Sequence, residues 1–150
     1  MSTSLESAPA ANLALATAAP RGVRFVGFLI DFIPAILLVV FLSFIPIIGP
    51  ILGGLLLAPY WLLRDVFGRS LGKTLAGERI VGRDGNPAPA SARVLRNLPF
   101  VIGPAIMVLP VIGYVGIVIN MVLVLGESIF LLSQGSRMGD KLAGTTVVKS

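Results

Sequence analysis

Two carboxylates stand where carboxylates are costly. Asp31 interrupts the apolar run VRFVGFLIDFIPAILLVVF, and Glu127 interrupts VIGYVGIVINMVLVLGESIFLL. An acid at the centre of a membrane-spanning helix costs roughly 2.5–3.5 kcal/mol on insertion scales, so such residues face a bundle interior and find partners. Two chemistries fit. Two acids brought close in a low dielectric disfavour double ionisation, so they share a proton or jointly hold a cation. Alternatively, Arg24 pairs with Asp31 or with Asp140 and locks the bundle. Arg24 and Asp31 lie nearly two turns apart on one helical face, about 10 Å along the axis. Glu127 is seven residues from Gln134, hence also about 10 Å deep. Asn97, at the start of a third apolar stretch, is placed to cap or bridge the two acids from below.

The stretch GRSLGKTLAG (68–77) suggests different chemistry, a loop that cradles phosphate. That motif needs four residues between its glycine and its Gly-Lys-Ser/Thr, entering from a buried strand. Only Arg69, Ser70 and Leu71 intervene here, and the element in front is an apolar helix. A second copy, GDKLAG, has Asp140 and Lys141 where the first has Lys73 and Thr74, and an aspartate repels phosphate. No nucleotide partner is expected. The chain has no cysteine and no histidine, which removes thiolate ligands, the commonest metal ligand and the commonest general base. No cofactor, no metal and no enzymatic activity are expected.

The elements that must position these groups are membrane helices. Of 150 residues, 55% are hydrophobic and 13% charged, against about 45–50% and 25% in soluble domains. Mean hydropathy is +0.94. Apolar stretches run from about 23 to 44, 47 to 63, 98 to 109 and 111 to 132. The first and fourth meet the length of roughly 17–25 residues that a span requires, and the second is marginal. The third is short unless residues 94–97 extend it with Arg96 snorkelling to the headgroups. Pro104 bends it, and a re-entrant segment is the alternative. The fold expected is all-α, with four transmembrane helices as two hairpins closed by IPIIG (45–49) and LPVIG (109–113).

All twelve Lys and Arg residues avoid those two connectors. They gather before the first stretch, between the second and third, and after the fourth, which the positive-inside rule assigns to the cytoplasm together with both termini. The net charge of +5 then reports topology and attraction to anionic lipid, not nucleic-acid binding. Residues 1–20 lack the basic start of a signal peptide. They read as a disordered cytoplasmic tail, or else as a short helix on the membrane surface.

The chain repeats itself. IPIIG matches LPVIG, and Gly72, Leu75, Ala76, Gly77 and Val81 recur 67 residues later as Gly139, Leu142, Ala143, Gly144 and Val148. The expected unit is a helical hairpin followed by an LAG turn and a β-prone run, in halves of about 21–83 and 91–149. SLGKTLA and RMGDKLA, with Lys73 and Lys141, are expected to form amphipathic turns at the interface. Leu71, Leu75, Met138 and Leu142 would face lipid or protein, and Gly77 and Gly144 would end the turns in the left-handed conformation. Pairing of 78–82 with 145–148 would tie the halves together. Asp84-Gly85 signals a turn, and Ser91 is the expected N-cap of the next helix. Asn120, Gly113, Gly116, Gly126 and Ser128 on the last long helix are expected to permit close packing.

Three blocks in this order, RFVGFLID, GRSLGKTLAGERIVGRDGNPAP and RMGDKLAGTTVVK, resemble the RDD family of small bacterial membrane proteins over about residues 21–149. By similarity the family's signature arginine and aspartates fall on Arg24, Asp31 and Asp140. Gly27 stands where the family commonly has alanine, and Glu127 lies outside the signature. The resemblance implies a multi-pass protein of the bacterial inner membrane, and transport roles have been suggested for the family. The expected function is a transporter or transporter subunit for a cation or proton-coupled solute. The alternative is a non-catalytic adaptor docking another membrane protein. Its expected partners are the lipid bilayer and either further copies of itself or another membrane protein.

Overall fold

The computed structural model describes residues 18–150. The expected tail therefore lies outside the described residues as far as residue 17. From Ala18 the chain is held, since Ala19 donates its N–H to the Val147 carbonyl at 3.2 Å and is buried. Helix α1 (Arg21–Ser43) and helix α2 (Ile48–Leu63) form a first hairpin. A short helix α3 (Leu71–Leu75) and strand β1 (Glu78–Val81) follow. Then α4 (Ala90–Leu95), a 3-10 turn (Leu98–Val101) and α5 (Ile102–Met107) make a nearly continuous rod, which packs against α6 (Gly113–Gln134). The chain closes with α7 (Met138–Ala143) and β2 (Thr146–Lys149).

The chain is mostly helical, and α1 and α6 are long and apolar enough to cross a membrane. Both carry their polar residues inward. On α1 the buried stripe is Arg24, Gly27, Phe28, Asp31, Ala35 and Leu42, following the three-and-four spacing of one helical face. Its exposed face is Val26, Leu29, Ile33, Leu37, Val40 and Phe41. On α6 the stripe holds Asn120 and Glu127, while Val118, Met121, Val122, Leu125 and Ile129 face out. Between the helices lies a core of Phe28, Ala35, Leu57, Trp61, Phe100, Met107 and Val124.

Both hairpin connectors have the same backbone. Ile48 donates to the Pro46 carbonyl at 2.7 Å, and Ile112 donates to the Pro110 carbonyl at 2.8 Å. Each is a γ-turn centred on a β-branched residue at positive φ, 64° at Ile47 and 68° at Val111. That hand of γ-turn is rare and strained, and such outliers cost of order 1–3 kcal/mol. Both side chains are exposed, so little packing opposes relief of the strain. Ile47→Gly and Val111→Gly are each expected to raise Tm in detergent, because relief exceeds the roughly 0.5–1 kcal/mol that glycine's unfolded freedom costs. A lower Tm in both would mean that the side chains, not the backbone, fix these turns.

The expected strand pairing is present. Strands β1 and β2 run antiparallel with Glu78 opposite Lys149, Arg79 opposite Val148, Ile80 opposite Val147 and Val81 opposite Thr146. Ile80 and Val147 pack with Ala19 and Ala88 in a second small core. The turn at Asp84 forms as the sequence suggests, with Gly85 at φ 76° and Asp84 accepting from the Asn86 backbone N–H. The expectation for Ser91 fails. Pro89 is the N-cap, extended at φ −65° and ψ 157°, and no side chain caps this helix. Ala88 donates to the Ile80 carbonyl and keeps the chain extended until Pro89, so the helix starts one residue before a serine cap could act.

Candidate functional site: a buried ion cluster

The ends of α1, α2 and α6 that lie beside the sheet, with α3 and α7, enclose ten ionisable side chains. The acids are Asp31, Asp65, Glu78, Glu127 and Asp140, and the bases are Arg24, Lys73, Arg96 and Arg137, joined by the Arg64 side chain at 2% exposure. Charges withdrawn from water this far are tolerated only when paired and hydrogen-bonded.

One half of the cluster is organised by Asp31 and Asp65. Asp31 accepts from the Ser70 hydroxyl at 2.5 Å and from the Gly72 N–H at 2.7 Å, so it holds the first turn of α3. Asp65 accepts from the Ser70 N–H at 3.1 Å and from the Asn97 carboxamide at 3.1 Å. Lys73 sits between the two acids, with Nζ 3.0 Å from Asp65 and 3.7 Å from Asp31. The Arg64 guanidinium lies 3.7 Å from Asp31. It rests over the rings of Trp61, Phe100 and Phe28 at 4.7, 5.3 and 5.6 Å, a cation–π arrangement suited to a desolvated arginine. Those rings floor the cluster on the side of the apolar core.

The other half is organised by Asp140. It binds Arg24 and Arg96 at 2.5 Å each, and Arg137 stands 3.9 Å away. Arg24 also donates to the Gly135 carbonyl. Glu127 accepts from the Met138 and Gly139 N–H groups at 2.9 and 3.2 Å, which holds the first turn of α7 as Asp31 holds that of α3. Lys73 and Asp140 occupy matching positions in the two LAG segments. They carry opposite charge, and each is surrounded by its opposite.

Close backbone contact makes this possible. A Cβ at Gly72 would overlap the Gly27 carbonyl, and one at Gly139 would overlap the Arg96 carbonyl. Only glycine lets α3 and α7 press onto their neighbours. Gly77 and Gly144 end the turns at φ 64° and 62°, as expected for left-handed stops. Leu71, Leu75, Met138 and Leu142 are exposed, the placement expected of an outward apolar face. Lys141 is exposed and binds Gln134 at 2.5 Å.

Of the two partners open to Arg24, it takes Asp140. Asp31 and Glu127 do not share a ligand: each is spent on a different helix start. Asn97 touches Asp65 and Arg64 (3.3 Å) and neither of the acids it was expected to bridge. Arg96 does not snorkel. It is fully buried on Asp140, because the rod from Ala90 to Met107 turns it toward α7 rather than toward a membrane surface. Sequence reasoning missed Arg64, Asp65, Glu78 and Arg137 and placed Lys73 on an interfacial turn. The available signal was the pair of equivalent LAG positions with opposite charge.

Burial and charge set the protonation of these groups. Burial raises Asp140, but Arg96, Arg137 and Arg24 outweigh it and hold the carboxyl well below its usual range. Burial likewise raises Asp65, and Lys73, Arg96, Arg64 and Arg137 more than reverse it. Lys73 falls to about 7, chiefly from burial, with Asp65 opposing and Arg64, Arg96 and Arg137 adding. Burial pushes Arg137 down to about 10, with Arg96 adding. Glu78 is raised, by burial first, against the pull of Lys73, Arg24, Arg137 and Arg96. Its Oε1 has no hydrogen-bond partner among the described residues. It lines a void of about 10 Å³ shared with Arg24, Lys73, Arg96 and Arg137, room for about one water molecule.

Among the described residues no group of three metal-ligating side chains occurs. Comparison with protein families, curated proteins and solved structures finds no match for this chain.

Proposed function

We propose that this chain is a multi-pass protein of the bacterial inner membrane, of the RDD type, acting as a transporter or transporter subunit for a cation or proton-coupled solute. The apolar outer faces of α1 and α6 support the membrane reading, since a helix with an apolar outer face and its polar residues turned inward is suited to a hydrocarbon solvent. Placement of both termini on the cytoplasmic side is supported by the absence of Lys and Arg from the two connectors. Four spans in two duplicated hairpins are supported by three correspondences. The γ-turns fall at the same place in IPIIG and LPVIG. The LAG turns end in the same left-handed glycine. Ile80 lies opposite Val147, its own counterpart in the repeat, as a two-fold axis through the sheet requires. Four short spans enclose little volume, so the working unit is a homo-oligomer or a complex with another membrane protein. No enzymatic activity, cofactor or nucleotide is part of this reading.

The observation that carries transport is the placement of Lys73 between Asp31 and Asp65, facing Glu78 across a water-sized void. Lys73, near 7, is a group whose charge changes at physiological pH, as proton coupling requires, and burial shifts the neighbouring Glu78 upward from its ordinary value. In proteoliposomes with an imposed pH gradient, sodium or potassium flux is expected for the wild type. Glu78→Gln, which keeps the shape and removes the charge, is expected to abolish it with yield and oligomeric state intact. Unchanged flux in Glu78→Gln removes the proton-handling role. A wild type that moves no cation in its native oligomer favours the second reading, a non-catalytic adaptor. That reading is supported by the fully exposed Phe67 and the exposed Leu71 and Leu75.

A further inference from the structure

The buried cluster takes five of the chain's twelve cations and five of its seven acids. With all ten ionised it carries no net charge, so the whole of the +5 lies outside it. Arg21, Arg69, Arg79, Arg83, Lys141 and Lys149 are exposed, and Arg93 is half-buried. Against them the described residues expose one carboxylate, Asp84, which is taken up by Asn86. Among the described residues no acid lies within ion-pairing distance of any of the six. The buried cations are thus matched inside the protein, and the exposed ones are not.

Three of the six mark one level of the molecule. Arg21 donates to the Leu132 and Ser133 carbonyls at 3.1 and 2.9 Å, and Lys141 donates to Gln134 Oε1 at 2.5 Å, so both sit on the last turn of α6. Arg69 stands six residues past the end of α2 and donates to Ser150 Oγ at 2.7 Å and to the Glu78 carbonyl at 3.4 Å. Every one of these acceptors is neutral. Each side chain is held in place with its charge unanswered.

Apolar side chains stand among these cations. Phe67 is fully exposed two residues before Arg69, and α3 exposes Leu71 and Leu75 after it. On α7, Met138 and Leu142 are exposed on either side of Lys141 in the chain. Leu and Phe set among Lys and Arg on a short amphipathic helix suit the boundary between acyl chains and headgroups. The two faces belong to different neighbours, since α3 presses onto α1 at Gly27 and α7 onto the rod at Arg96. A single acidic soluble protein would have to reach both, whereas a bilayer surrounds both at once.

We propose that this end of the bundle is a binding surface for anionic phospholipid, whose headgroup phosphates meet Arg21, Arg69 and Lys141 while Phe67, Leu71 and Leu142 enter the acyl boundary. Charge count alone gives a general attraction to anionic lipid; the unanswered cations at the ends of α2 and α6 give it a place. The inference rests on the membrane reading of α1 and α6 and is independent of transport.

The test uses the full chain in phosphatidylcholine bilayers carrying a trace of spin-labelled phosphatidylglycerol or of spin-labelled phosphatidylcholine. The motionally restricted fraction of each label reports how strongly that lipid associates with the protein. At low salt phosphatidylglycerol is expected to associate at least about fivefold more strongly, the ratio that one cation near a membrane surface is worth. The preference is expected to fade in about 1 M salt, where the Debye length falls to about 3 Å. Arg69→Gln combined with Lys141→Gln keeps hydrogen-bonding groups, and it is expected to retain the wild-type Tm in detergent while losing most of the preference. Equal association of the two labels overturns the proposal, as does a wild-type preference indifferent to salt or an unchanged preference in the double variant. Capture of an acidic soluble protein, released by salt and with no lipid preference beside it, also overturns it by identifying a protein as the source of counter-charge. A protein that stays monodisperse without detergent would instead refute the membrane reading itself.

Discussion

Asp140→Asn is expected to destabilise the protein by about 3–5 kcal/mol, the usual loss when one partner of a buried ionic group is removed. Against total stabilities of about 5–15 kcal/mol, most of the chain should fail to fold or should melt far below the wild type. The reason is arithmetic of charge. Asp140 is the direct partner of Arg24 and Arg96 and the acid nearest Arg137, so its neutralisation strands three guanidiniums where water cannot reach them. Asp84→Asn changes an exposed turn and should leave Tm unchanged. Acid makes the same point reversibly. A carboxyl held below its unfolded value, near 3.9, contributes stability fully present above that pH and lost as pH falls through the folded value. Asp140 and Asp65 both belong to this class. Melting of the wild type in detergent should therefore shift to lower temperature as pH falls below about 4. Asp140→Asn should lose part of that acid dependence, and a variant as stable and as acid-sensitive as the wild type would remove Asp140 from the centre of the cluster.

Gly139→Ala and Gly72→Ala are expected to be nearly as damaging, against the direction of helix propensity. In an open helix this change stabilises by roughly 0.5–1 kcal/mol. Here the added methyl meets a backbone carbonyl, of Arg96 for Gly139 and of Gly27 for Gly72. Neither can rotate away as a side chain would. The loss should reach or exceed the top of the roughly 1–3 kcal/mol range of overpacking. Separating α7 from Arg96 also pulls Asp140 off its partners. Gly126→Ala is the control, since nothing lies within 4 Å of its added carbon, and it should raise Tm slightly. If all three variants melt alike, the short helices are not pressed onto their neighbours.

Much of the framework could be read from residue order. The apolar runs located α1 and α6, and their inward acids were marked by the expense of burying them. Glycine after LA in both copies located the left-handed stops at 77 and 144, because little else accepts that backbone. The strand pairing was legible because two short β-prone runs had no other partner. What could not be read was which charge meets which. The depth argument set Asp31 and Glu127 level and suggested that they meet, but depth along a helix says nothing about rotation around it. Each faces the backbone N–H groups of a different short helix instead. Lys73 and Arg96 were placed at membrane surfaces because isolated cations belong there. Their burial depends on Asp65 and Asp140, which lie 8 and 44 residues away in the chain and beside them in space.

The pairing of Arg24 with Asp140 also sets an order of events during synthesis. The arginine emerges early and its acid 116 residues later. On the proposed membrane reading, the first hairpin inserts before the acid that pairs with Arg24 has been made, because that partner is Asp140 and not Asp31. Insertion of that hairpin is thus separated from its consolidation. The half-made protein is expected to be the species that membrane quality control encounters, and arrival of the α7 segment is the step that releases it.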